Sequence, residues 1–285
     1  MTSETPTIID LNAETAKLTM LRGLTPQTTP AERRASGSAV LLGRYRDGIL
    51  FLAKSAGKSH WETHPEDELL YVIDGEMTVD IVEKDGPRSF VVGTGMIAIV
   101  PADAWHRVHS ANGITVASAT LPGEHIDLDV ADPRTSTPDL DIPNTKRPPS
   151  IIDLNAEVAK LTMFRGRTPQ STMEDRKGSG ARLAPYRDGG LFITKFAGKG
   201  HWEAHLPGDE LVHILDGTAI LELVCDDGPP KSFALGAGMI AVNPRGAWHR
   251  FHSSEGVTLM TATPSPSDVI ELDVDDPRTV ERKSA

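Results

Sequence analysis

Short runs in which apolar and polar residues alternate, each closed by Gly, Pro or Asp, recur along the chain. They are Gly48 to Ala53, Glu68 to Ile73, Met77 to Val82, Arg88 to Val92, Met96 to Val100 and Thr115 to Ala119. A period of two puts one side of the run against a core and the other toward water, which is the pattern of a half-buried strand. Strands at such even spacing predict an all-β sandwich or barrel. Two stretches differ. Ala13 to Leu21 and Ala156 to Phe164 carry apolar residues at helical spacing, with Asn12 or Asn155 placed to cap the first turn, and predict short helical extensions.

The pattern occurs twice. Ile8-Ile9-Asp10-Leu11-Asn12-Ala13-Glu14 returns as Ile151-Ile152-Asp153-Leu154-Asn155-Ala156-Glu157, and the likeness continues through Tyr45-Arg46-Asp47-Gly48 and Tyr186-Arg187-Asp188-Gly189 to Asp132-Pro133-Arg134-Thr135 and Asp276-Pro277-Arg278-Thr279. Solenoid repeats run to about 20 to 50 residues, so a unit this long reads as a duplicated domain. The sequence predicts a first domain over 1–135, a Pro-rich linker over 136–150 and a second domain over 151–285.

Charge and composition narrow the partners. The formal net charge is -11, and no basic cluster stands outside the tail Glu281-Arg282-Lys283, so a nucleic-acid partner is not expected. The N-terminus has no basic-then-apolar leader and no apolar run approaches the roughly 18 residues of a membrane span, so a cytoplasmic protein is expected, without a membrane partner. The single cysteine, Cys225, fits a reducing compartment and reads as a small buried residue.

The chemistry concentrates in one stretch of each half. His60, Glu62 and His64 alternate, so a strand would aim all three to one face, and Glu68 follows after a short turn. His201, Glu203, His205 and Glu210 reproduce the set, and His106 and His249 come later, each after a run ending in a turn. Imidazole and carboxylate together suit a divalent metal: Fe(II), Mn(II), Zn(II), Ni(II) or Cu(II). Two carboxylates brought close together repel unless a cation lies between them. His60 and His201 lie about 7 Å along the strand from Glu62 and Glu203. Ligand, acid/base group at a pocket rim and ordinary hydrogen-bonded histidine are all open to them. Arg107 and Arg250 are expected to point outward as solvated charges, His109 and His252 to face away from the cluster, and His213 to be no ligand. Trp61, Trp105, Trp202 and Trp248 are expected to pack in a core.

At these residues the sequence resembles the cupin superfamily. The family's first motif, Gly, five residues, His-x-His, three or four residues, Glu, six residues, Gly, is approached by His64, Glu68 and Gly75 and by His205, Glu210 and Gly217. The second, Gly, five residues, Pro-x-Gly, two residues, His, is matched from Gly238 to His249, and from Gly95 to His106 with Asp103 in place of the glycine, which predicts an altered turn. The resemblance implies two tandem jelly-roll-like β-barrels. One departure matters most: Glu62 and Glu203 hold the position of the family's first histidine. Either Glu62 ligates with His64, Glu68 and His106, a harder set that favours Mn(II) or Fe(II), or those three ligate alone and Glu62 is left as acid or base. The same two readings hold for Glu203 with His205, Glu210 and His249.

What the resemblance implies about function is a metal-dependent enzyme acting on a small oxygenated organic molecule, first of all by an Fe(II) dioxygenase-like reaction. An isomerase, decarboxylase or lyase is the alternative, and a non-catalytic binding or storage bicupin is the competing class. Apolar strand edges leave homo-oligomer formation open.

Overall fold

The apolar runs between Glu68 and Val82 join into one long strand, Glu68–Glu83, because Asp74 and Gly75 bend it without ending it. Its pairing with His106–Thr120 slips between Val72 and Asp74 and again between Gly75 and Thr78. Gly75 sits at φ 88°, and a Cβ there would lie 2.3 Å from the Gly113 carbonyl oxygen, so the bend requires glycine. The second copy bends the same way at Gly217 in strand Glu210–Leu223. These features belong to a computed structural model that describes residues 5–137, 139–140, 142, 147–225 and 228–280. Part of the predicted linker (138, 141 and 143–146) and the tail Glu281-Arg282-Lys283 lie outside the described residues.

The chain forms two units, each with its own ten-stranded sheet. Ala13–Glu157 makes what we call the N-repeat unit, and Met1–Asn12 with Val158–Ala285 makes the C-repeat unit. These bounds differ from the contiguous ones read from the repeat. Strand Thr7–Asp10 pairs antiparallel with Met239–Asn243, and Ser150–Asp153 pairs with Met96–Val100, so each Ile-Ile-Asp segment completes the sheet of the other repeat. The join is specific. The Asn12 and Asn155 carboxamides lie over Gly238 and Gly95, where a Cβ would come within 2.3 and 2.6 Å of them.

In the N-repeat unit the path of paired strands runs Glu124–Ile126, Trp61–Thr63, His106–Thr120, Glu68–Glu83, Met96–Val100 and Ser150–Asp153, with Gly48–Lys58 flanking His106–Thr120. The C-repeat unit repeats this order with Asp268–Ile270, Trp202–Ala204, His249–Pro264, Glu210–Leu223 and Met239–Asn243. Each sheet wraps a jelly-roll-like barrel around an aliphatic core, Val72, Val79, Ile81 and Val116 in one and Ile214, Leu221, Leu223 and Leu259 in the other. Trp61 packs with Trp105 and Val82, and Leu140 and Ile142 from the expected linker cover them, so that stretch docks on the N-repeat unit.

The helices are shorter and earlier than predicted: Leu11–Lys17 and Leu154–Ala159. Asn155 lies inside its helix and is not the cap; the Asp153 carboxylate accepts from the Ala156 N–H at 3.0 Å instead. Residues 18–20 and 160–163 belong to no helix or strand, and the last residue of each predicted helix opens a strand, Leu21–Leu24 and Phe164–Arg167, that adds to the sheet beside Gly48–Lys58 and Gly189–Lys199. A further helix, Pro30–Ala35, was not expected; Thr29 and Glu32 form its capping box.

The turn before His106 is not altered by Asp103. Asp103 adopts φ 64° where Gly246 adopts 74°, and the Asp103 and Gly246 N–H groups donate equivalently to the His64 and His205 carbonyls, at 2.7 and 2.9 Å. Aspartate tolerates this left-handed geometry better than most residues. Gly246→Ala should therefore destabilise the protein by about 1 kcal/mol, and Asp103→Gly should not, as read from thermal unfolding.

Among the described residues no helix is long and apolar enough to cross a membrane.

Candidate metal centres

The bends and the register bring the polar residues to one place. Glu62 is the cross-strand partner of His106, and Glu203 of His249, so the spacing-by-two on one strand meets the second motif directly. Glu210 pairs with Asn243 one strand over. In the C-repeat unit Glu203, His205, Glu210 and His249 each offer a donor atom within 4.8 Å of the others. In the N-repeat unit Glu62, His64 and His106 do the same. Glu68 stands beside them, its Oε2 2.9 Å from His106 Nε2 and 3.8 Å from His64 Nε2, while its Oε1 accepts from the Ser118 hydroxyl at 2.6 Å.

The ring orientations favour a cation at the centre. His106 and His249 place Nδ1 3.0 Å from the Ala104 and Ala247 carbonyl oxygens, which can only accept, so Nδ1 carries a proton and Nε2 faces the cluster. Neutral imidazole with Nε2 free is the metal-binding form, and the carbonyl is the usual outer partner that fixes it. His64 is buried with neither ring nitrogen hydrogen-bonded, and His205 Nε2 is likewise buried without a hydrogen bond. Buried polar atoms left this way are costly, and a metal ion would satisfy them. The donor set, its convergence and its orphaned nitrogens fit a divalent ion.

Protons do part of that work when no metal is bound. Burial disfavours an imidazolium at His106, but the hydrogen bond to Glu68 and the charges of Glu68 and Glu62 outweigh it and raise the pKa to about 9. Burial also works against the Glu62 carboxylate, yet the hydrogen bond from His60 and the charges of His106, His60 and His64 hold it down to about 2. Glu210 is lowered against its burial by His205 and His249, and His249 is raised against its own by Glu210. The His106 contribution to stability is complete below its ordinary 6.5 and lost as pH rises through about 9; that of Glu62 is complete above 4.5 and lost as pH falls toward 2. Chelator-treated protein should thus lose thermal stability between pH 6.5 and 9, and metal-loaded protein should not, because the metal replaces the His106 proton.

The two centres differ in what supports them. In the C-repeat unit Ser267 Oγ lies 2.9 Å from His205 Nδ1, Asn243 Nδ2 donates to Glu210 Oε2 at 3.1 Å, and the Thr263 hydroxyl donates to Glu210 Oε1 at 2.6 Å. In the N-repeat unit Gly123 stands where Ser267 stands, against His64 Nδ1, and Val100 stands where Asn243 does. Outer partners typically contribute 10–100-fold to metal affinity. Ser267→Ala should therefore weaken metal uptake at one of the two sites by roughly tenfold and leave the other alone, as read by titration.

His60 and His201 stand outside the ligand groups. His60 Nε2 lies 3.2 Å from Glu62 Oε2, His201 Nε2 lies 3.7 Å from Glu203 Oε2, and both rings are partly exposed. Glu62 and Glu203 keep 27% and 26% of their side-chain surface, against 4% and 3% for Glu68 and Glu210, so the first pair faces the open side. That open side is a cavity of about 280 Å³ in the C-repeat unit, bordered by Arg167, Arg176, Phe196, His201, Glu203 and Glu210.

Arg107 and Arg250 are not solvated. Both are buried over Trp61 and Trp202, 4.5 and 4.3 Å from the ring centres, and bond Asp80 with the Val130 carbonyl and Glu222 with the Val274 carbonyl. They point away from the metal cluster as expected, but into a second packed layer. Trp61, Trp105 and Trp202 are core residues and Trp248 is half-buried. His213 is buried among strand neighbours, where desolvation lowers its pKa to about 4, and it belongs to neither cluster. The arginines near the cavity were missed in the sequence, where nothing in their spacing marks them.

Comparison with known proteins finds one family model and a set of solved structures. The family model for a cupin domain matches residues 49–117. Among solved structures, a cupin 2 conserved barrel domain protein from Leptotrichia buccalis is 16% identical, with 78% of this chain and 86% of that chain covered and a TM-score of 0.49. Bacillus subtilis oxalate decarboxylase, in a study of its Mn(II) centers, is 14% identical, with 85% and 74% covered and a TM-score of 0.46. These likenesses are too distant to bear on substrate or reaction. A search of curated proteins finds no match. The matched cupin domain lies within the first repeat, and its strand order and histidine-glutamate positions recur in the second unit.

Proposed function

We propose that this protein is a metal-dependent enzyme acting on a small oxygenated organic molecule. The observation that carries the reading is the convergence of Glu203, His205, Glu210 and His249 within 4.8 Å beside a cavity of about 280 Å³. Four donors are enough to hold a metal and too few to fill an octahedral one, so positions remain for a chelating substrate. The two-His, two-carboxylate set is hard and favours Mn(II) or Fe(II). In the N-repeat unit His64, Glu68 and His106 would make a two-His-one-carboxylate set, the combination found in oxygen-activating Fe(II) sites, which leaves Glu62 free on the open side.

A bound divalent ion would supply Lewis acidity, and as Fe(II) it would also supply oxygen activation. The protein's own groups do the rest. Glu62, on the open side and outside the three-ligand set, is placed to take or return a proton at a substrate carbon or hydroxyl. His60, 3.2 Å from Glu62, passes that proton on to its exposed edge. The buried Glu68 and Glu210 stay in place through the hydroxyls of Ser118 and Thr263.

Of the reaction classes we propose dioxygenation first, on the strength of the two-His-one-carboxylate group. The test is oxygen uptake by Fe(II)-loaded protein across a panel of hydroxy acids, oxo acids and diketones. Uptake that tracks turnover is expected. Turnover with Mn(II) and without oxygen uptake would assign an isomerase, decarboxylase or lyase instead, and a chain that takes up no metal would be a binding scaffold.

A further inference from the structure

Arg167 is a cation without a direct ion-pair partner. Among the described residues no carboxylate lies within 4 Å of its guanidinium and no acceptor hydrogen-bonds it, although it borders the cavity that also holds Glu203 and Glu210. It lies instead over the Phe196 ring, 4.4 Å from the centre, which holds the planar fork in place. Arg176 borders the same cavity, and only its Nε is occupied, donating to the Thr172 carbonyl at 3.2 Å. Burial and the neighbouring Arg176 charge both work against the Arg167 charge, and Glu203 works for it; the balance lowers its pKa to about 10. It remains charged at any physiological pH.

Two guanidinium groups bordering one small cavity repel each other unless something negative lies between them. Glu203 and Glu210 are the negative groups at hand, but a divalent ion among their oxygens cancels both. The loaded pocket then carries a net charge of about +2 from its two arginines. The N-repeat unit lacks this arrangement: the repeat puts Leu24 where Arg167 stands, leaving only Arg33, the counterpart of Arg176, near Glu62.

We propose that Arg167 and Arg176 form an anion-binding subsite of the C-repeat pocket, and that its substrate is an organic acid whose carboxylate pairs with Arg167 while its other oxygens face the metal cluster. This rests on the metal reading above and narrows its substrate class from oxygenated molecules to carboxylates. A guanidinium fork matches a carboxylate with two parallel hydrogen bonds, and a hydrogen bond to a charged group in such a pocket typically contributes a tenfold or larger factor in affinity.

The experiment titrates glycolate, lactate, malonate and malate, each beside its neutral amide, into the full-length chain with and without Mn(II), and measures metal uptake separately. We expect at least one acid to bind the Mn(II)-loaded protein about tenfold or more tightly than its amide. That preference should be lost in Arg167→Met, with metal uptake unchanged, and partly kept in Arg167→Lys. Amides that bind as well as the acids, or an Arg167→Met protein with undiminished acid binding, would overturn the subsite while leaving the metal centre standing. Absence of metal uptake overturns the metal reading instead, and the acid-against-amide comparison in the metal-free protein then decides the subsite by itself. If Arg167→Met does not fold, the wild-type comparison and Arg167→Lys decide it.

Discussion

Replacing His249 with alanine is expected to lower metal content from two equivalents per chain to one and to weaken uptake at the C-repeat centre by roughly 100-fold or more, since even an outer partner of a ligand typically contributes 10–100-fold. His249 is fully buried, its Nδ1 is committed to the Ala247 carbonyl, and its Nε2 lies 3.0 Å from Glu210. His106→Ala should do the same to the N-repeat centre, and the double variant should hold none. Each single variant also takes one charge-assisted hydrogen bond from a buried carboxylate, Glu210 or Glu68, which keeps its hydroxyl donor, so the metal-free protein should lose on the order of 1–3 kcal/mol of stability. Elemental analysis and metal titration of the three proteins separate these effects. Unchanged stoichiometry in the double variant would show that the metal sits elsewhere.

The second large effect concerns stability alone. Arg107→Met should destabilise the protein by about 3–5 kcal/mol, because it removes one partner of a buried ion pair and leaves the other uncompensated. Arg107 and Asp80 keep 9% and 7% of their side-chain surface, and the arginine also lies on Trp61 and donates to the Val130 carbonyl. The Asp80 carboxylate, held below its usual value against its burial by Ser89, Arg107 and His109, would lose its only guanidinium partner among the described residues. Adding Asp80→Asn should restore part of the loss, since the neutral pair strands no charge. Urea unfolding of the two variants beside the unsubstituted protein provides the measurement, and a cost under 1 kcal/mol for Arg107→Met would mean the pair behaves as if it were solvated.

These two residues mark where the sequence is readable and where it is not. The ligand positions are legible because strand periodicity is local: Glu62 and His64 share a face by alternation, and the second motif ends in His106 at a fixed distance from its turn. Arg107 is adjacent to His106, so the same alternation correctly turns it away from the metal. What lies on that far side depends on Asp80 and Val130, which are distant in sequence, and the layer they form with Trp61 has no local signal. The exchanged strands are hidden for a related reason. The segments around Ile8 and Ile151 are nearly identical, so either could pair with either sheet, and only the three-dimensional path of the chain chooses. Asp103 shows the opposite limit: a motif position reads as broken, but its left-handed backbone is within an aspartate's reach and the turn survives. Arg167 was invisible because its meaning lies in what it lacks, a direct ion-pair partner, and that is read only from the cavity around it.

The central claim is that both His/Glu clusters hold a divalent ion, and anomalous X-ray scattering from crystals of Mn(II)-loaded protein tests it most directly. Two peaks are predicted, one within about 2.0–2.4 Å of donor atoms of Glu203, His205, Glu210 and His249, the other equally close to His64 and His106. Saturating Mn(II) with no peak at either cluster would contradict the account.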